Sequence, residues 1–288
     1  MLYKTLLAVL GSIFFLCLDV KSALAWGPGV HLHTANYILS NLHLIAPAVA
    51  GIISAYPTSF KYGCLSADIY MGKGKKLHSR HCHNWGTGFG LLDSSRDPEI
   101  KAYAFGYLSH LAADTIAHNY FVPDTLRVFP GSGKMSHLYV EMQADRIIAG
   151  TSSQARDIMG KKNSQADRIL RLALRKPKLR FALKKQLYRQ GINFSRLHSW
   201  EISLRILDRA LPWGESGYLR HMVGLSQSTV ANFLQNPDHA ACLDLDPMGF
   251  ANLQVVKDMK RNPPCADRDP ATPFYPDPRL KELSISTN

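Results

Sequence analysis

Apolar residues recur at helical spacing along almost the whole chain. The first such stretch covers residues 31–54 and is interrupted at Pro47. Residues 56–96 are rich in Gly, Ser and Lys and carry no clear period, so they read as a long irregular connection. Asp97-Pro98-Glu99 is a helix start, with Asp97 as N-cap and Pro98 in the first turn. The helix it opens is expected to run to about residue 121. Pro123, Pro130, Gly131 and Gly133 mark a loop. Helical periods resume over 135–148, 155–175, 179–190, 196–210, 216–235 and 247–260. The prolines from Pro263 to Pro278 imply an extended tail over 262–288. Strand alternation and internal repeats are both missing. The expectation is an all-α chain with a single multi-helix domain over 26–261 and a long loop that carries polar ligands.

Residues 1–25 have a different pattern. Lys4 gives a positive start, residues 5–20 are largely apolar, and Ala23-Leu24-Ala25 is a small-x-small cleavage site. The apolar run is short for a membrane span. These features predict a signal peptide and an exported protein, periplasmic or secreted. Cleavage after Ala25 would make Trp26 the first residue, and its free α-amine and carbonyl would become a metal chelate that no internal residue offers. Export permits disulfides. Among Cys64, Cys82, Cys242 and Cys265 the most local pairing joins Cys64 to Cys82 and Cys242 to Cys265. Cys82, between His81 and His83, is also a conceivable thiolate ligand.

The formal charge is +12. Much of the excess lies between residues 151 and 200, where thirteen Lys or Arg face only Asp157 and Asp167. Such a surface suits anionic partners such as phospholipid headgroups or nucleic acid, or is simply a set of solvated helix faces. Nothing in the sequence calls for an obligate protein partner. The aromatics Trp200, Trp213, Tyr218 and Phe250 could meet a membrane, but they read more simply as core.

The chemistry concentrates between Gly106 and Glu141. His110, Asp114 and His118 are four apart. On a helix each step of four drifts only about 40°, so the three share one face. The surrounding segment is rich in Ala, Leu, Phe and Tyr, whereas a solvated face would carry Lys, Glu or Gln. His137 and Glu141 form a second pair at helical spacing, and Asp145, one turn on, could hold the outer nitrogen of a metal-bound imidazole. With Trp26, His31, Asp68 and His83 these residues supply nitrogen and carboxylate oxygen ligands suited to zinc.

The pattern resembles the zinc-dependent phospholipase C family, including the bacterial phosphatidylcholine-cleaving enzymes and the N-terminal domain of alpha-toxin. It is also similar to the catalytic domain of the glycosylphosphatidylinositol-specific phospholipase D. The likeness covers roughly residues 26–145. In that family a mature N-terminal Trp chelates metal, as Trp26 would. An early His follows, here His31, with His33 as the rival. A Gly-x-x-x-Ala-Asp segment corresponds to Gly63 through Asp68. The next His is His83, before Asn84-Trp85, with His81 as the alternative. The His-x3-Asp pair is His110 and Asp114, then comes His118, and the closing His-x3-Glu is His137 and Glu141. The shorter Asp114–His118 spacing resembles the phospholipase D branch.

The resemblance implies about three zinc ions. Asp68, His83, His110 and Asp114 would hold one, and Trp26, His31 and the shared Asp114 a second. The third would fall to His118, His137 and Glu141. It implies hydrolysis of phospholipid at a membrane surface by a metal-activated water, with Asp68 orienting or deprotonating that water as well as binding metal. The alternative is a zinc-dependent single-strand nuclease on the same scaffold. The Trp26–His31 spacing and the basic 151–200 region favour that reading, while Glu141 in place of Asp speaks against it.

Overall fold

The computed structural model describes residues 26–70, 81–94, 96–128, 134–148, 151–194, 216–261 and 274–285. Among them every regular element is helical, as the periodicity predicts. The α-helices are α1 (Pro28–Ser40), α2 (Pro47–Ala55), α3 (Pro57–Ser66), α4 (Trp85–Asp93), α5 (Pro98–Ile116), α6 (Val122–Val128), α7 (Lys134–Ile147), α8 (Ser152–Gly160), α9 (Ser164–Ala173), α10 (Lys178–Phe194), α11 (Ser216–Gln235), α12 (Phe250–Arg261) and α13 (Pro278–Ile285). Short 3₁₀ turns lie at Leu42–Leu44, Ala67–Tyr70 and Ala241–Asp244. None of the described helices is long and apolar enough to cross a membrane.

Helix α5 is the axis of the fold. Asp97 caps it by accepting the Glu99 N–H at 2.9 Å, and Pro98 occupies the first turn. From Ala102 to Ile116 every residue is buried, because small and apolar side chains cover all its faces. Helices α2, α3, α4 and α11 pack around it, α3 most extensively.

The α3–α5 contact brings backbone onto backbone. A Cβ at Gly63 would strike the Tyr103 carbonyl, and one at Gly106 would strike the Phe60 carbonyl. Those oxygens belong to helix backbone and cannot swing aside. Gly106→Ala is therefore expected to destabilise the protein by about 3 kcal/mol through forced separation of the two helices. Urea unfolding checks this, and a change within ~0.5 kcal/mol, the range of a neutral surface change, would refute it.

These glycines also explain the main departure from the sequence expectation. Residues 56–96 are not one irregular connection. They include α3, the Ala67–Tyr70 turn and α4, and only residues 71–80 and 95 of the stretch lie outside the described set. Gly63 and Gly88 are there for close packing, the latter against Leu108, and not for turning the chain. Four smaller corrections follow. Residues 31–54 divide into α1, a 3₁₀ turn and α2. Pro123 lies inside α6 and marks no loop; in a first turn its missing N–H is tolerated. Residues 155–175 divide into α8 and α9 around residues 161–163. The tail is not wholly extended, since Pro278 opens α13. The expected signal at 1–25, the loop prolines and glycines at 130–133, the helix at 196–210 and Cys265 lie outside the described residues.

Candidate metal centre

Five buried side chains from four segments meet beside α5. His31 comes from the first turn of α1, Asp68 from the Ala67–Tyr70 turn, His83 from the residues before α4, and His110 and Asp114 from α5. His31 Nε2 lies 3.3 Å from Asp114 Oδ1, and its ring stacks on His110 with centroids 3.8 Å apart. Asp114 Oδ2 is 3.3 Å from His83 Nε2 and 3.2 Å from His110 Nε2. Asp68 Oδ1 is 3.2 Å from His83 Nε2 and 3.6 Å from His110 Nε2.

Each helix delivers its residue for a local reason. At the start of α1, Asp145 of α7 accepts hydrogen bonds from the Gly29 and Val30 N–H groups at 2.9 and 3.0 Å. It thereby satisfies donors that a helix N-terminus leaves open. Its carboxylate fills the space where side chains at Gly27 and Gly29 would project. Among the described residues Asp145 is thus not the partner of an imidazole that its spacing from Glu141 had implied, but the clasp on the helix that carries His31. Burial pushes its carboxyl up to about 6, against the pull of the two N–H groups. Asn84 caps α4 through the Gly86 N–H at 2.8 Å, which fixes His83 just outside the helix. The close α3–α5 contact brings the Cys64 carbonyl to 2.8 Å from His110 Nδ1.

That last bond sets a tautomer. A carbonyl only accepts, so His110 Nδ1 carries the hydrogen and Nε2 turns a lone pair toward Asp68, His83 and Asp114. His83 Nδ1 faces the Cys82 Sγ at 3.3 Å, leaving its Nε2 on the same side as that of His110 at 3.0 Å. Two such nitrogens beside two carboxylates favour a positive charge among them, a proton on an imidazole or a metal ion in its place. Burial disfavours a protonated His83, but Cys82 and the carboxylates of Asp114 and Asp68 outweigh it and hold the imidazole well above its usual range. For Asp114 burial works the other way, and His110 and His31 outweigh it to keep the carboxyl well below its usual range. Burial, followed by His110, holds His31 low.

Zinc fits these donors. His31 Nε2, Asp68 Oδ2 and both Asp114 carboxylate oxygens are buried and make no hydrogen bond. Zn–N and Zn–O bonds of about 2.0–2.2 Å give a tetrahedron with edges of roughly 3.3–3.6 Å; the imidazole–carboxylate separations above run from 3.2 to 3.6 Å, and the Nε2 atoms of His83 and His110 lie 3.0 Å apart. The donor atoms of His31, Asp68 and His110 form one close group, and those of His83, His110 and Asp114 another.

The remaining candidates are distributed around this cluster. His33 points outward from α1. His81 accepts the His83 N–H at 3.1 Å and forms a further close group with Cys82 and His83, on the far side of His83 from the carboxylates. His118 is buried in a single π turn at Ala117–Phe121, which interrupts the continuous α-helix assumed for the His110–His118 ladder. Such turns recur at functional sites. Gly249, at φ +55°, allows the chain to pass against the His118 carbonyl where a Cβ would collide. Trp26 is 0% exposed. Its ring stacks on Phe121 of the π turn at 4.8 Å and its Nε1 donates to Ser226 Oγ at 3.1 Å. Positions 137 and 141 lie on α7, but their side chains are outside the described set.

Cys64, Cys82 and Cys242 are free thiols, so the local Cys64–Cys82 bridge does not form. The two side chains have separate tasks: Cys64 lies in the α3–α5 contact, and Cys82 sits between the Tyr70 carbonyl and His83. Sequence reasoning also missed Tyr107, whose hydroxyl donates to the Cys82 carbonyl, and Tyr188 of α10. Burial, with the charges of Asp68, Asp145 and Asp114, pushes the Tyr188 phenol well above its usual range, and its hydroxyl makes no hydrogen bond. No motif marks Tyr188, which stands in a run of Lys, Arg and Gln.

Comparison with curated proteins and with solved structures finds no match. A family model described as zinc dependent phospholipase C matches residues 30–185, which run from the first turn of α1 into the first half of α10 and take in all five clustered side chains. With this match spanning more than half of the sequence, and with a donor set that suits the metal, the chain belongs to the zinc-dependent phospholipase C family.

Proposed function

We propose that the protein is an exported zinc-dependent phosphodiesterase that hydrolyses phospholipids at a membrane surface, releasing diacylglycerol and a phosphorylated headgroup. The observation that carries the reading is the meeting of five buried His and Asp side chains whose donor atoms converge and are largely left without hydrogen bonds. Asp68, His83, His110 and Asp114 would hold one ion, and Trp26, His31 and Asp114 a second. His118, His137 and Glu141 would hold a third. Zinc held there supplies a Lewis acid for the phosphoryl oxygens and lowers the pKa of a bound water toward ~7.

The chain's own groups do the rest. The Cys64 carbonyl and the Cys82 sulfur hold His110 and His83 with Nε2 inward. Asp114, kept ionised by its imidazole neighbours, supplies negative charge to two positions at once. Asp68 Oδ2 is the acceptor for the proton of the attacking water. In-line attack at phosphorus forms a P–O bond and breaks the one to glycerol, and the departing alkoxide takes up a proton.

A parallel assay of the zinc-loaded protein beginning at Trp26, on phosphatidylcholine vesicles and on single-stranded DNA, tests the reading. Release of phosphocholine with diacylglycerol is expected to exceed nucleotide release by at least tenfold, and metal analysis after dialysis is expected to find about three zinc ions. Nucleotide release from an assay that leaves the vesicles intact would establish the nuclease instead. At most one tightly held ion would refute the trinuclear assignment.

A further inference from the structure

Helix α10 is apolar on two opposite faces. Its inner face buries Phe181, Tyr188 and Ile192. Phe181 lies 5.9 Å from Tyr70, which closes the turn that carries Asp68. Its outer face presents Leu179, Leu183 and Leu187, one turn apart, at 83%, 59% and 36% exposure. Leu172 at the end of α9 is exposed to 53%. An amphipathic surface helix has one apolar stripe, turned toward the core. A second stripe of leucines facing water needs an occupant.

Charge indicates which one. Residues 171–190 contain eight Lys or Arg and no Asp or Glu. Lys185 is engaged inward with Asp167 at 2.7 Å. Lys178, Arg180, Lys184 and Arg189 flank the leucine stripe. Arg175, in the turn between α9 and α10, adopts φ +51°, a left-handed position that glycine fills without strain. A positive charge thus stands where the backbone would favour glycine. Leucines bordered by cations match a surface whose outer layer is anionic and whose interior is apolar. Nucleic acid offers the anions but no place for the leucines. A second copy of the chain would set eight cations against eight.

We propose that the outer face of α10, with Leu172, docks the protein on anionic phospholipid bilayers, with the leucines entering the acyl boundary and the flanking Lys and Arg meeting the headgroups. Through Phe181 and Tyr70 the same helix is packed on the segment of Asp68, so docking there would bring the metal centre to the membrane. The purpose of this surface rests on the lipid reading above; its affinity for vesicles does not.

The test is co-sedimentation of the full zinc-loaded protein with vesicles of phosphatidylcholine alone and of phosphatidylcholine with 30% phosphatidylserine (roughly the charge density of an anionic leaflet). The wild type is expected to bind the anionic vesicles at least tenfold more tightly, with binding weakened by salt. L179S/L183S is expected to lose at least tenfold in vesicle affinity while keeping its melting temperature, its zinc content and its turnover of a soluble phosphocholine ester. K178Q/K184Q is expected to flatten the salt dependence. Unchanged vesicle binding by L179S/L183S would overturn the proposal. So would a change from dimer to monomer in that variant, which would assign the face to a second copy. Loss of single-stranded DNA binding with vesicle binding intact would assign it to nucleic acid. Vesicle binding without lipid hydrolysis would leave the docking face standing and remove the proposed activity, so the two ideas fail separately.

Discussion

Asp114→Asn is expected to lower phosphodiester hydrolysis by at least 10³-fold, about 4 kcal/mol of transition-state stabilisation, and to strip more than one zinc ion per chain. The reason is position. Asp114 lies at the centre of the cluster, 3.3 Å from His31 on one oxygen and 3.2 to 3.3 Å from His110 and His83 on the other. His110 also belongs to both groups of donors, but with the single nitrogen Nε2, whereas Asp114 meets His31 with one oxygen and His83 and His110 with the other. The substitution keeps volume and shape, so packing against α5 neighbours is retained, but it replaces one anionic oxygen by an N–H₂ group that cannot bind metal. Changes such as His31→Ala are expected to cost less activity, because each disturbs one position. Zinc content measured beside kcat for the full set of variants decides the matter. An Asp114→Asn enzyme that keeps its metal and falls no further than the His31 variant would show that the carboxylate is not shared.

The second large effect concerns Trp26. If its α-amine binds metal, a protein carrying one extra residue ahead of Trp26 should lose one zinc ion and at least ~10²-fold in activity, and trimming to Trp26 should restore both. An amide nitrogen in place of the amine is a poor ligand, whereas the amine, with a reference pKa of about 7.7–8.0, yields its proton to metal readily. The structure makes the experiment discriminating. The indole is wholly buried, stacked on Phe121 and bonded to Ser226. Trp26→Ala would therefore cost about 3–5 kcal/mol of stability whatever the amine does. The extended form keeps the indole and changes only the nitrogen. Equal melting temperatures with unequal zinc would identify a ligand; full zinc and activity in the extended form would leave Trp26 as a packing residue alone.

Much of the centre is legible in the sequence because its residues break a local pattern. His110 and Asp114 stand out as polar residues inside a helix otherwise made for burial, and the structure does bury them. The Asp97-Pro98 start and the boundaries of α11 follow from capping and periodicity alone. What stays hidden depends on contacts between distant segments. Gly63 and Gly88 look like loop residues until the helix that presses on them is known. Asp145 looks like a continuation of the His137–Glu141 spacing, yet its partners are the N–H groups of Gly29 and Val30, more than a hundred residues earlier. Cys82 invites a disulfide by its spacing, and only the position of His83 Nδ1 shows what its sulfur touches.

The Asp145 clasp has a consequence for the order in which the protein is made. The hydrogen bonds that hold the beginning of α1 span 115 and 116 residues, and the bond from Trp26 to Ser226 spans 200. Contacts of such separation form late, after nearer ones have already reduced the chain entropy that must be lost. Trp26 and the start of α1 are therefore among the last segments to be seated. Asp68, His83, His110 and Asp114 lie within one 47-residue stretch and can gather early around α5, while His31 and Trp26 wait for α7 and α11. Maturation would then proceed from a partial centre, able to capture metal, to a complete one only once nearly the whole polypeptide has folded.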